Sequence, residues 1–157
     1  MADAEKLHWL FDREQIREAV YLYPVSIDTH NWQLFRSIFT DQIDVLLTDA
    51  ARADRPRQIV DADKFTNMVD SVISSFRITQ HFLTDYHIEV KGDDATCFCY
   101  MQARHFPPSN KPQQQIWDMG GHYTYHLKRT PDGWKIPKYT LIMTWETNRP
   151  PDLKIDL

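Results

Sequence analysis

The spacing of apolar positions changes once along the chain, near residue 77, and that change separates two kinds of expected element. Before it the period is helical. Ile16, Ala19, Val20, Tyr23 and Ile27 fall three or four apart and make one apolar stripe. Asp12 followed by Gln15 resembles a capping box, so this helix is expected to open there. Pro24 interrupts the stripe and removes one backbone donor; Asp28 follows about one turn later. Upstream, Leu7, Trp9, Leu10 and Phe11 form an apolar patch expected to dock on the rest of the protein. A second, short helix carries Trp32, Leu34, Phe35, Ile38 and Phe39. A third, capped by Asp61 or Asp63 and running to about Ser75, buries Phe65, Met68, Val69, Val72 and Ile73. Between these two lie a short strand from Ile43 to Leu47 and a polar loop, Thr48 to Pro56. Arg52, Arg55 and Arg57 in or just beyond the loop read as a solvated cluster, with guidance of an anionic substrate as the alternative.

After the change the period is two. Four strands are predicted over 78–90, 95–106, 116–129 and 134–146. Gly92-Asp93-Asp94 and Pro131-Asp132-Gly133 supply turns, and Pro107 to Gln114 a loop. Cys97, Cys99, Met101, Ala103 and His105 share a face of the second strand. Trp117, Met119, Tyr123, Tyr125 and Leu127 share one on the third, and Tyr139, Leu141, Met143 and Trp145 one on the fourth. In the first strand, strict alternation sets His81 opposite the more apolar side formed by Phe82, Tyr86, Ile88 and Val90. A bulge near Thr84-Asp85 is therefore expected, because it switches the parity and returns His81 to the interior. Helices first and long antiparallel strands after indicate an α+β protein with a curved sheet wrapped around the helices.

Composition adds three exclusions. At 157 residues the chain is read as one domain over 1–157. No run of Lys or Arg is dense enough to track a phosphate backbone, and net charge is −4, so nucleic acid is not an expected partner. The amino terminus lacks the apolar run of a signal peptide, and no segment approaches the roughly 20 apolar residues of a membrane span. Cys97 and Cys99, two apart on a strand, point in parallel and are poorly placed for a disulfide, so reduced thiols and a cytoplasmic setting are expected. Five Trp, seven Tyr and eight Phe exceed what a minimal core needs, which makes a ring-lined cavity plausible.

The candidate chemistry lies with Asp28, His81 and His105. An imidazole moves protons near neutral pH, and a carboxylate on one ring nitrogen fixes its tautomer and stabilises its charged form. A carboxylate close to a helix carboxyl end is poorly served by the dipole and should seek a donor. The structural alternative is a buried histidine satisfied by an aspartate. Tyr23, Tyr123, Tyr125, Tyr139 and Trp145 are candidates to line the cavity and polarise a carbonyl. A metal is not indicated: His122 and His126 would lie roughly 13 Å apart on a strand. With four glycines and no phosphate loop, no nucleotide cofactor is indicated either.

Ser26-Ile27-Asp28-Thr29-His30-Asn31-Trp32, Arg77-Ile78-Thr79-Gln80-His81-Phe82, Ala103-Arg104-His105 and Asp132-Gly133-Trp134-Lys135 leading to Trp145 resemble a known pattern. In order and spacing they are similar to the SnoaL-like branch of the nuclear-transport-factor-like cone fold, and within it to scytalone dehydratase. The likeness runs over nearly the whole chain. It implies a cone-shaped α+β barrel, with N-terminal helices packed in a strongly curved mixed, mostly antiparallel sheet. It also implies a catalytic role for Asp28, His81 and His105, a small-molecule carbonyl substrate, and a homo-oligomer, trimer or dimer, through the outer sheet face. Hexachlorocyclohexane dehydrochlorinase is similar at Asp28 and His81. Leu47 stands where scytalone dehydratase has a tyrosine, and Gly121 and Tyr123 where it has a serine and an asparagine, so the substrate contacts differ. The expected activity is cofactor-independent dehydration of a small cyclic hydroxy-carbonyl compound. Isomerisation or cyclisation of a polyketide-like or terpenoid substrate, and ligand binding without turnover, are the alternatives.

Overall fold

The computed structural model describes residues 3–49 and 55–153. Helix α1 spans Asp3–Asp28 and α2 Trp32–Ser37; strand β1 (Phe39–Asp49) and β2 (Gln58–Asp61) precede α3 (Ala62–Ile73). Four long strands complete the chain: β3 (Ile78–Lys91), β4 (Asp94–Phe106), β5 (Trp117–Thr130) and β6 (Gly133–Thr147). They form one six-stranded sheet in the order β2-β1-β6-β5-β4-β3, in which β1 and β6 run parallel and every other pair antiparallel. The sheet is open: among the described residues β2 and β3 stay at opposite edges with no strand to join them. Helices followed by a mixed, mostly antiparallel sheet are as expected for the cone-shaped α+β fold. Helix α1 contacts β3, β4 and β6 of this one sheet, with Ile16, Val20, Tyr23 and Ile27 buried along its stripe.

Three local expectations give way. Asp12 does not cap α1, which begins at Asp3; the preceding Ala4, Glu5, Lys6, Leu7 and Leu10 are good helix formers and extend the helix upstream. Asp12 is buried instead and takes two hydrogen bonds from Arg129, at 2.7 and 2.9 Å. The patch upstream does not dock: Leu7, Leu10 and Phe11 are 68, 55 and 61% exposed, because the stripe that meets the sheet starts only at Asp12. Arg57 is no part of a solvated cluster. It holds Asp44 at 2.7 Å and donates to the Thr140 hydroxyl and the Tyr139 carbonyl, tying β1 to β6. Arg55 is exposed, and Arg52 lies outside the described residues. Strand β2, four residues long with Ile59 exposed, carries too little pattern to have been read from sequence.

The bulge is present. The β3–β4 register shifts between Thr84 and His87, with Asp85 in the left-handed region at φ 56°. Before the shift Thr79, His81 and Leu83 face inward, opposite His105, Ala103 and Met101; after it Ile88 faces inward opposite Cys97. One extra residue thus lets a single strand bury both sets. Aspartate tolerates the left-handed backbone through its short polar side chain, whereas a β-branched residue pays roughly 1–2 kcal/mol there. Asp85→Ile is expected to lower stability by about that amount and Asp85→Gly to stay near wild type, as urea unfolding would show. Equal losses in both would mean that the positive φ is not the feature that matters.

Candidate active site

The site begins at the end of α1. The amide of His30 donates to the Ile27 carbonyl at 3.1 Å and that of Asn31 to the Ser26 carbonyl at 2.8 Å. His30 itself is left-handed at φ 53°, which completes a Schellman-type stop. That stop fixes the backbone immediately after Asp28. A carboxylate here faces the negative end of the helix, so its stability depends on donors from elsewhere. Strand β3 supplies three: the Thr79 hydroxyl to Oδ1 at 2.8 Å, the His81 amide to Oδ2 at 2.8 Å, and the His81 ring Nδ1 to Oδ1 at 2.7 Å. Burial alone raises the Asp28 carboxyl, but the His81 and Thr79 contacts outweigh it and hold the pKa below the ordinary carboxylate range. The carboxylate can only accept, so His81 carries its proton on Nδ1 and leaves Nε2 as the basic nitrogen. The imidazole side chain is 6% exposed and lines the cavity.

His105, two strand positions from Ala103, lies directly across the ladder from Thr79 and is 2% exposed. Its ring meets that of His81 edge-on at 5.5 Å. On the other side it stacks on Trp117 at 4.3 Å and touches Phe76 at 5.0 Å. Nδ1 sits 3.2 Å from the Trp117 carbonyl, which fixes the proton there and leaves Nε2 as an acceptor. Burial, reinforced by the neighbouring His81, pushes its pKa down to about 3. At neutral pH it is an uncharged acceptor and not a proton donor.

These two histidines open onto a cavity of about 90 Å³. Tyr23, Tyr123 and Tyr139 line it, with Ile27, Leu47, Met101, Met119 and Leu141 among the apolar wall. Tyr125 is fully buried behind them and does not line it. Trp145 is 44% exposed and also stays out; its ring lies over Gly120, where a β-carbon would collide with it. Among the described residues no group of three or more His, Cys, Asp or Glu side chains is placed to hold a metal ion. Thr79 and Trp117 were not singled out from sequence, although their positions in register with His105 carried the signal.

A profile of the SnoaL-like domain matches residues 10–140. The chain belongs to the SnoaL-like domain family. It is 28% identical over 141 residues to terrestric acid biosynthesis cluster protein E of Penicillium crustosum, across 87% of this chain and 85% of that one. Its fold is similar to that of a Novosphingobium aromaticivorans protein proposed to be a scytalone dehydratase, with TM-score 0.76, 18% identity and 96 and 93% of the two chains covered. It is similar also to the hexachlorocyclohexane dehydrochlorinase LinA-type3 of Novosphingobium barchaimii, with TM-score 0.74, 15% identity and 97 and 99% covered. No helix among the described residues of this SnoaL-like chain is long and apolar enough to cross a membrane.

The state of His105 makes stability pH-dependent. The unfolded histidine binds a proton near ~6.5, so between that value and about 3 the unfolded chain holds the extra proton. Stability must therefore fall as pH drops through this window, by up to ~1.4 kcal/mol per pH unit. His105→Asn retains a donor for the Trp117 carbonyl and cannot titrate. Its urea midpoint is expected to fall less than that of wild type between about pH 7 and about pH 5. Equal falls would show that His105 does not carry this dependence.

Proposed function

We propose that the chain is a cofactor-independent lyase that removes water from a small cyclic hydroxy-carbonyl substrate, with His81 as general base. The observation that carries this reading is the 2.7 Å contact between His81 Nδ1 and Asp28, with Nε2 left basic on a ring that lines a mostly apolar cavity. His81 Nε2 takes a proton from the carbon next to, or vinylogous to, the carbonyl, and Asp28 stabilises the imidazolium. The carbon–carbon double bond forms as the carbon–oxygen bond breaks. The proton on Nε2 then leaves with the hydroxyl as water, which returns His81 to its starting form. His105, neutral and bonded to Trp117 through Nδ1, accepts a hydrogen bond from the departing hydroxyl and aims it. The names of the dehydrochlorinase and of the proposed dehydratase support elimination as the reaction class.

The cavity is smaller than the ~150 Å³ apolar void that takes up benzene. A ring-sized substrate must displace part of its wall. Met68, Met101 and Met119 supply flexible side chains able to move. Copies of the chain would meet through the outer sheet face, where Ile78, Phe82 and Tyr100 are each about half exposed.

The test is mass spectrometry on β-hydroxy ketones and hydroxylated cyclic carbonyls in deuterated water. Wild type is expected to lose water from a member of the panel, and His81→Ala to slow this at least ~100-fold while staying folded. Asp28→Asn should also lower turnover, since it frees the His81 tautomer. Unchanged turnover in His81→Ala would remove it as the base. Deuterium uptake without loss of mass would replace dehydration by isomerisation, and binding that survives loss of all three residues without product would favour a non-catalytic module.

A further inference from the structure

Apart from the Trp117 Nε1, which donates to Glu146, the polar side-chain atoms of the described cavity lining form two groups. One is the histidine pair. The other is a set of tyrosine hydroxyls that the base chemistry leaves unused. Tyr23 from α1 and Tyr139 from β6 hold their hydroxyl oxygens 2.9 Å apart, with rings stacked at 5.5 Å. Tyr123 from β5 packs on both, at 5.4 and 5.5 Å between ring centres. All three are at least 96% buried, and all three line the cavity. The Tyr23–Tyr139 bond uses one of that pair's two hydroxyl hydrogens, so an O–H is left for a ligand.

Burial pushes the Tyr23 hydroxyl up to about 12 and those of Tyr123 and Tyr139 well above their ordinary value. The cluster therefore stays neutral and donates; it is no base. Among the described residues no Lys, Arg, Asp or Glu side chain lines the cavity, and the charge that His81 gains is already matched by Asp28. A carboxylate or phosphate entering would shed its water without finding a cation. The two polar groups also lie apart. Met119 shares a register row with Ala103 and His81, and Tyr123 follows four residues down β5, roughly 13 Å along the strand. Tyr23 precedes Asp28 by five residues, roughly 7.5 Å along α1.

We infer that the Tyr23–Tyr123–Tyr139 hydroxyl cluster is the binding site for a neutral carbonyl oxygen, which restricts the substrate to an uncharged, compact cyclic ketone or aldehyde. The further step, that the anchored carbonyl presents its acidic carbon to His81, rests on the lyase reading. Proton removal turns the carbonyl oxygen toward an enolate, and a donor already in place strengthens its bond as that charge grows. Leu47, apolar and lining the same cavity, offers that oxygen no competing partner.

The experiment is equilibrium binding of cyclohexanone, its hydrocarbon isostere methylenecyclohexane, and cyclohexanecarboxylate to the full chain. Wild type is expected to bind cyclohexanone and to leave cyclohexanecarboxylate unbound. In Tyr23→Phe and Tyr139→Phe the ratio of cyclohexanone to methylenecyclohexane affinity should fall roughly 3- to 10-fold, while methylenecyclohexane alone binds at least as well. A measurement on wild type needs no variant: the carbonyl stretch of bound cyclohexanone should lie below its value in hexane. An unchanged ratio in both variants, a stretch equal to that in hexane, carboxylate binding as strong as the ketone's, or no ketone binding at all overturns the inference. These are binding measurements, so they separate the two readings. They stand where no elimination product is found, and they can fail while turnover persists.

Discussion

Everything at the proposed site hangs on one carboxylate. Asp28 sits at the wrong end of a helix for a negative charge, and the three donors that compensate all come from Thr79 and His81 on one strand edge. The same three bonds fasten the end of α1 to β3, so the contact that orders the proposed proton-transfer pair also closes the helix onto the sheet. Without them the carboxylate would draw in water, and the histidine would lose both its tautomer and its orientation. Stability and chemistry are therefore coupled here through a single group.

That coupling requires β3 to turn His81 inward, and β3 is also asked to bury Tyr86, Ile88 and Val90 farther along. Strict alternation cannot satisfy both demands. The extra residue at Asp85 resolves the conflict at the cost of a left-handed backbone. The bulge is thus the device by which one strand serves the site at one end and the core at the other. Gly120 and Gly121 do comparable work on β5: a side chain at Gly121 would run into the Ile142 backbone, and one at Gly120 into Trp145.

The parts legible in the sequence were those with local causes. The long strands, α3 with a cap at Asp61 or Asp63, the inward face of β4 with His105, and the need for a bulge all follow from periodicity and turn chemistry within a few residues; of the two aspartates it is Asp61 that caps. What was not legible depends on partners far away in the chain. Asp12 looks like a helix cap until Arg129, 117 residues on, is seen to hold it. Arg57 looks solvated until β6 lies beside it. Tyr125 shares a strand face with cavity residues yet lies behind the cavity wall, because parity fixes a face and not a depth. Trp145 leaves that face altogether: the β5–β6 register shifts between Gly120 and Gly121, and the extra residue on β6 sets Trp145 in the outward row of Gly120 and Gln102.

Two carboxylates of α1, Asp12 buried and Asp28 half-buried, show how partner choice separates structure from chemistry. Asp12 and Asp28 stand on the same helix, and each takes at least two hydrogen bonds from a distant strand. Arg129 holds Asp12 below the ordinary carboxylate range and never gives up its own proton, so that pair is a fixed clamp between α1 and the β5–β6 hairpin. Asp28 is bonded instead to an imidazole, whose second nitrogen is left as an acceptor. On the proposed reading, exchanging the cation for an imidazole is the whole difference between a tie and a base. The place of that ring on the wall of an apolar cavity then sets it against the carbon acid of a bound ligand.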